Sequence, residues 1–232
     1  MTKIVPYWNE TVVDQGLPTE RIEYTPGTNF PTISTVRNRW CFGLPLSKDD
    51  GSIMSDEEIK DFIDEAIDEV ERKLGIFIKP TVIACNPWER GLVEGVDYEV
   101  EEHPYDYDAS SYRNYGFLQL REKPVLELTG YKLVLPNGNV IMDFMKDANT
   151  RKWLKLDKPG GQVNIVPYAG DPTLFYLLGG SQSGFPFVTG RLNSSMPHMF
   201  YADYTAGYAV GKLPRDIGEV IAKIAAINIL GV

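Results

Sequence analysis

The sequence predicts an α+β fold: a small helical portion, made of a long N-terminal-side helix and a C-terminal helix, with an antiparallel β-domain inserted between them and an extended arm in front. Three observations carry that expectation. A capped amphipathic helix starts at Ser55, an Asn137-Gly138 turn separates two apolar runs, and a second helical period runs from Ile217 to Leu230. The boundaries that follow are 1–52 for the arm, 53–75 with 213–232 for the helical portion, and 76–212 for the β-rich insertion.

The arm is defined by Pro6, Pro18, Pro26, Pro31 and Pro45, and shows neither helical nor strand period. Proline fixes φ and removes a backbone donor, so the segment reads as extended chain lying over another surface. It also carries Tyr7, Trp8, Tyr24, Phe30, Trp40 and Phe42. That many rings need cover, which predicts that the arm is docked on another surface.

The clearest element begins with Ser55-Asp56-Glu57-Glu58, a capping box in which serine takes the Glu58 amide and the glutamate reaches back. Ile59, Phe62, Ile63, Ala66, Ile67, Val70 and Leu74 then fall within an arc of about 140° on the helical wheel. Gly75 ends the helix. Its other face holds nine Asp or Glu between Ser55 and Lys73, against three bases. Such a face is either solvated, with acids favouring the helix N-terminus, or the wall of a negatively charged channel.

The middle of the chain, residues 76–210, is β-rich. A two-residue Asn137-Gly138 loop would pair Leu135 with Val140, Val134 with Ile141, Leu133 with Met142 and Lys132 with Asp143. That register places large apolar side chains on one face and an opposite-charge pair on the other. A second hairpin runs from Trp153–Leu156 through Pro159-Gly160-Gly161 to Val163–Val166, and further strands are expected at Tyr98–Glu101, Phe117–Leu120, Val125–Leu128 and Met199–Tyr204. Between Pro167 and Arg191 a glycine- and proline-rich stretch surrounds the apolar run Leu174–Leu178, which makes sense if a neighbouring chain covers it.

Pro214 suits the first turn of the closing helix. Ile217, Val220, Ile221, Ile224 and Ala225 repeat the helical spacing, and Ala226, Ile227, Ile229 and Leu230 make the end apolar on nearly all sides. A helix of that character packs deeply or continues past Val232. Asn228 is its one misfit, central in the apolar arc between Ile221 and Ile224. It either reaches water at a frayed end or lies against another chain, where a buried amide fixes register.

Composition narrows the function. The 232 residues are 43% hydrophobic, enough for a substantial core, and the thirteen tyrosines suit interfaces. With 32 acids against 23 bases the net charge is −9, the opposite of what gripping a phosphate backbone requires. Cys41 and Cys85 stand in unrelated contexts and provide neither a disulfide framework nor a zinc site. MTKIVPYWNE lacks a signal-peptide core and no run approaches membrane-spanning length, so a soluble product made in a cytoplasm is expected.

Candidate chemistry is sparse. His103 and His198 lack ligand spacing or a nucleophile motif. Glu99, Glu101, Glu102, Asp106 and Asp108 could in principle hold calcium or form a glycosidase pair, but no EF-hand register is present. Gly179–Gly184 resembles a phosphate loop only in its glycine content. No catalytic residue, metal site or cofactor is assigned.

The order of elements carries more. An acidic helix ending in ERKLG is followed by LQLREKPVLELTGYKLVLPNGNV and then by FYADYTAGYAVGKLPRDIGEVIAKIAAINIL. Over residues 53–230 this resembles the head–tail connector (adaptor) proteins of tailed bacteriophages. The matching positions are Pro124 with Val125, Gly138, the Tyr204-Thr205-Ala206-Gly207-Tyr208 segment, Pro214 and the helix Ile217–Leu230. The fifty-residue arm and the long glycine-rich stretch depart from a minimal member.

The resemblance implies a structural virion protein of the neck and not an enzyme. It would form a homo-oligomeric, dodecameric ring below the portal protein, contacting tail, stopper or neck proteins, with DNA passing through its centre unbound and no membrane involved. Tyr204, Gly207, Tyr208, Pro214, Ile221, Ile224 and Asn228 are then the candidate interaction residues. Two other readings remain open on the residues alone. One is a β-sandwich carbohydrate- or receptor-binding module, suggested by aromatics and strands; the other is an enzyme using the acidic loop around Asp106 and Asp108. For a conduit of this charge, the isolated chain is expected to show no tight duplex binding in a gel shift at about 150 mM salt. Submicromolar binding there would contradict it.

Overall fold

Two stretches distant in sequence build the helical unit: the described residues up to Pro80, and those from Gly207 onward. The chain between them, Thr81 to Ala206, forms a β unit. The structure is a computed structural model that describes residues 30–48, 51–107, 116–135, 137–146, 148–166, 196–209 and 211–231. The first three prolines of the arm, its Tyr7, Trp8 and Tyr24, Asp108, the Leu174–Leu178 run and Gly179–Gly184 lie outside the described residues.

In the helical unit, α1 (Ile33–Thr35) is capped by the Thr32 hydroxyl, which accepts the Thr35 amide at 3.2 Å. It continues as one π-helical turn, Val36–Trp40, closed by the Cys41 amide on the Val36 carbonyl at 2.9 Å. Residues 33–40, inside the stretch expected to be an extended arm, are thus helical. Phe30, Val36, Cys41 and Leu46 are buried in the unit's own core. The β-branched run Thr32, Ile33, Thr35, Val36 hides the helix from propensity. Burial of its apolar side outweighs that preference.

Helix α2 (Asp56–Leu74) has both halves of the expected capping box: the Glu58 amide donates to Ser55 Oγ at 3.3 Å, and the Ser55 amide to Glu58 Oε2 at 2.8 Å. Gly75 ends it at φ 61°. Ile59, Ile63, Ala66, Ile67 and Val70 are buried, while Phe62 is half-buried and Leu74 exposed, at the margins of the predicted arc. Helix α3 (Arg215–Leu230) packs on α2 with Ile221 buried beside Ala222, Ala225 and Ala226, three small residues that let helices approach. Val220, Ile227 and Leu230 stay exposed, so α3 is not covered on all sides as its composition suggested.

A short extended segment links these parts. Glu71 of α2 accepts the amides of Ile78 and Lys79 at 2.6 and 2.9 Å, and the Tyr208 amide donates to the Ile78 carbonyl at 3.2 Å. Gly207 sits beside them at φ +112°, where a Cβ would stand 2.4 Å from the Lys79 carbonyl oxygen. Lys79 also bonds Asp64 and Asp68 of α2, at 3.2 and 3.4 Å. Burial works against its charge, but those two carboxylates outweigh it and hold its pKa above the ordinary lysine value.

The β unit holds a larger and a smaller sheet. The strands of the larger are β1 (Thr81–Cys85), β2 (Val100–Glu102), β3 (Tyr105–Tyr107), β5 (Val125–Val134), β6 (Val140–Asp143) and β9 (Met196–Ala206), in the order β2-β1-β9-β5-β6 with β3 also pairing β9. The smaller is antiparallel, ordered β4 (Gly116–Gln119), β8 (Gln162–Ile165), β7 (Leu154–Asp157). The β7–β8 hairpin is the second one expected, with Leu154 opposite Ile165 and Leu156 opposite Val163. The insertion is not wholly antiparallel, because β1 and β2 pair in parallel. A 3-10 turn at Pro87–Arg90 and further loop separate these two strands and permit that crossover. Tyr131 of β5 anchors the core, its ring 5.3 Å from that of Phe144 and 5.8 Å from Phe200.

The first hairpin begins as expected and then slips. Lys132 faces Asp143, with an ion pair at 3.7 Å, and Leu133 faces Met142. Val134, however, faces Val140, and the turn closes with the Leu135 amide on the Asn139 carbonyl at 2.9 Å. A two-residue type I′ loop needs positive φ at both positions. Here Gly138 has it (φ 83°) and Asn137 does not, the pattern of a longer loop with a bulge.

Gly207 is the position least able to accept a side chain. Gly207→Ala is expected to destabilise the chain by about 2–4 kcal/mol in denaturant unfolding, from strained φ and backbone overlap together. Gly75→Ala, which meets open space at φ +61°, should cost only about 1 kcal/mol.

Candidate functional site

The residues that suggested chemistry are brought together only in part. Glu102 ends β2 with 8% exposure and collects the neighbouring hydroxyls. Tyr105 Oη donates to Glu102 Oε2 at 2.6 Å, and Tyr204 Oη to Glu102 Oε1 at 3.2 Å. Each tyrosine oxygen also accepts a backbone amide, Tyr105 from Arg121 at 3.1 Å and Tyr204 from Glu122 at 3.2 Å. The Arg121 guanidinium lies 3.5 Å from Glu102, donates to the His103 carbonyl at 2.6 Å and rests 4.1 Å above the Tyr105 ring. Burial pushes the Glu102 pKa up against the opposing pull of Tyr105, Arg121 and Tyr204, and burial likewise raises both phenols.

A raised carboxyl beside an arginine is a common sign of a catalytic acid. Here both Glu102 oxygens are held by tyrosines that are themselves interior, and the group ties β2 and β3 to β9. Its chemistry is that of a buried polar lock. Glu99 and Glu101 are exposed, and Asp106 accepts the His198 amide at 2.8 Å. Among the described residues no group of three or more His, Cys, Asp or Glu could hold a metal ion.

A second, half-buried carboxylate sits on β9. Asp203 Oδ1 accepts from Arg90 at 2.6 Å and from the Cys85 amide at 2.8 Å, while its other oxygen pairs with the second Arg90 nitrogen. Gly130, opposite Asp203 in β5, makes room: a Cβ there would stand 2.3 Å from the carboxylate. Sequence reading missed this fork, since an Arg and an Asp so far apart carry no local signal. Burial pushes the Cys85 thiol up to about 12 and raises Cys41 as well, which keeps both protonated near neutrality.

The predicted interaction residues divide between interior and surface. Tyr204, Gly207 and Ile221 are buried within the chain, where they build the fold. Tyr208, Pro214, Ile224 and Asn228 are half-buried, and Pro214 immediately precedes α3 as its cap.

The open surface of the helical unit lies elsewhere. Glu57, Asp61 and Glu65 form an exposed acidic row on α2, beside a hollow lined by Lys48, Met54, Glu58, Asp61, Phe62 and Glu65. Other acids of the helix are paired, Asp56 with Arg37 at 2.9 Å, Glu58 with Lys48 and Glu69 with Lys73. After the π-helical turn, Phe42 stands 82% exposed at φ 55°, followed by Gly43 and Leu44. The Phe42-Gly43 pair ahead of Pro45 was the available sequence signal for this tip. Behind it the Trp40 ring lies between Arg39 and Lys223, at 5.1 and 5.0 Å. No helix among the described residues is long and apolar enough to cross a membrane.

No protein-family model matches the chain, and no curated protein matches it. Among solved structures it is similar to a chain of the "Neck of empty GTA particle computed with C6 symmetry", at 16% identity over 89% of this chain and 81% of that one, with a TM-score of 0.42. A likeness at that score carries no argument about function.

The Glu102 lock has a pH signature. Its folded pKa is raised above the unfolded value, so its contribution is fully present below the unfolded pKa and is lost as pH rises through the folded one. Glu102→Gln is therefore expected to gain on the unsubstituted chain in thermal melts as pH rises from about 4 to about 7. A flat or opposite difference would show that the carboxylate is stabilised where it sits.

Proposed function

We propose that the chain is a structural subunit of a tailed-phage neck, a head-to-tail adaptor ring below the portal. It extends the DNA channel and docks tail, stopper or neck components. The observation that carries this reading is the continuity of the Tyr204–Leu230 string, the most specific part of the sequence resemblance. In the structure β9 runs to Ala206, Gly207 turns against Lys79, Pro214 caps α3, and α3 packs on α2.

Charge and chemistry are consistent with a mechanical role. The net −9 and the row Glu57, Asp61, Glu65 repel a phosphate backbone, which suits a wall past which DNA must slide. The carboxylates of Glu102 and Asp203 are bonded to tyrosines, an arginine and a backbone amide. No catalytic step or cofactor is assigned, and the place of action is the virion neck.

The test is co-assembly. Incubated with dodecameric portal protein, the full chain is expected to form a dodecameric ring on it, seen by electron microscopy and weighed by native mass spectrometry. A chain that stays monomeric beside the portal, or that binds a defined glycan on an array, would overturn the reading in favour of a recognition module.

A further inference from the structure

We propose that Asn137, at the tip of the β5–β6 hairpin, is a self-modification site: its side-chain amide is displaced by the Gly138 nitrogen, and the turn is converted to isoaspartate. The proposal does not depend on the ring reading above. Asparagine is among the chemically labile side chains, and Asn137, Gly138, Asn139 and Val140 are all exposed. The reaction requires the next backbone nitrogen to reach Cγ, and a side chain on that next residue obstructs the approach. Asn137 is the one asparagine in the sequence that glycine follows, whereas Asn38, Asn139 and Asn164 precede Arg39, Val140 and Ile165. Asn86 is buried and precedes Pro87, whose nitrogen carries no proton to give up.

The hairpin restrains the reaction without preventing it. The Gly138 amide donates to the Leu135 carbonyl at 2.8 Å, and Asn137 Oδ1 accepts the Asn139 amide at 3.1 Å. The first bond must break before the nitrogen can attack. The second polarises Cγ and stabilises the charge that develops on Oδ1. Opening is cheap because β6 is a short edge strand without a buried residue. The Gly138 nitrogen then bonds to Cγ, the Cγ–Nδ2 bond breaks, and Nδ2 leaves with the Gly138 proton as ammonia. Water opens the resulting cyclic imide at either carbonyl, giving aspartate or isoaspartate. In isoaspartate the main chain runs through Cβ and Cγ, and the former backbone carbonyl is a free carboxylate. The lengthened turn no longer aligns Gly138 with Leu135, or the Leu135 amide with the Asn139 carbonyl. With ammonia gone, the change runs one way.

Ageing the full-length chain in mildly alkaline buffer tests the proposal, with peptide mapping by mass spectrometry and labelling by an isoaspartate methyltransferase. Conversion is expected at Asn137 ahead of Asn38, Asn139 and Asn164, mostly to isoaspartate, and about tenfold faster when the chain is unfolded in urea. Hydrogen exchange across Val140–Asp143 should rise in step with conversion. Freshly purified Asn137→Asp, which carries the new charge without the longer backbone, should keep the slow exchange of the unaged hairpin. An Asn137 that stays intact in the folded chain overturns the site, as does equally fast conversion at Asn38, Asn139 or Asn164. Equal rates in the folded chain and in urea overturn the restraint by the turn. Exchange in fresh Asn137→Asp as fast as in the aged chain overturns the lengthened backbone as the cause of loosening.

Discussion

The close approach of Gly207 to the Lys79 carbonyl is the constraint on which the helical unit depends. The two halves of that unit are separated in sequence by the whole of the β unit, so their meeting must be specified where the chain leaves and returns. Only a residue without Cβ can occupy the return point, given the 2.4 Å that a methyl would have to share with the backbone. The facing segment is fixed independently by Glu71, whose carboxylate takes the Ile78 and Lys79 amides. Once those are set, the Tyr208 amide reaches Ile78, and Leu213 and α3 come down on α2. A loop closure this long is entropically expensive, and a tight, well-bonded junction offsets that cost.

Inside the β unit the same economy appears with charges. Burying an ion is costly unless every lone pair is engaged. Buried Glu102 and half-buried Asp203 are compensated by different routes, one with two phenols and a flanking arginine, the other with a forked arginine and a backbone amide. Both draw partners from strands distant in sequence, so each reports that the strands have met in the right register. Gly130 shows how far the arrangement is built in, since a side chain on β5 would evict the Asp203 carboxylate.

The outer surface of the helical unit divides its charges in a way that composition alone conceals. The acids gather along α2, while the segment before it is basic and ends in an exposed aromatic tip. Several pairs, Arg37 with Asp56 and Lys48 with Glu58, already join the two regions within one chain. What remains is an acidic row on α2 and an exposed apolar tip.

Much of this fold could be read from residues near one another in the chain. The α2 capping box, its apolar stripe, the Gly75 stop and the β7–β8 hairpin follow from local rules, because each depends on bonds closed within a few residues. The first hairpin was legible down to Leu133 and Met142 and then slipped, because turn type depends on φ values that Asn-Gly permits without imposing. What only the tertiary structure decided was everything that long-range burial controls: the helical turn in the supposed arm, the parallel β1–β2 pair, the Asp203–Arg90 fork, and the interior place of Tyr204 and Ile221. A sequence displays which residues need cover or partners. Which residues supply them is set by the global packing, where desolvation and hydrogen-bond satisfaction outweigh local propensity.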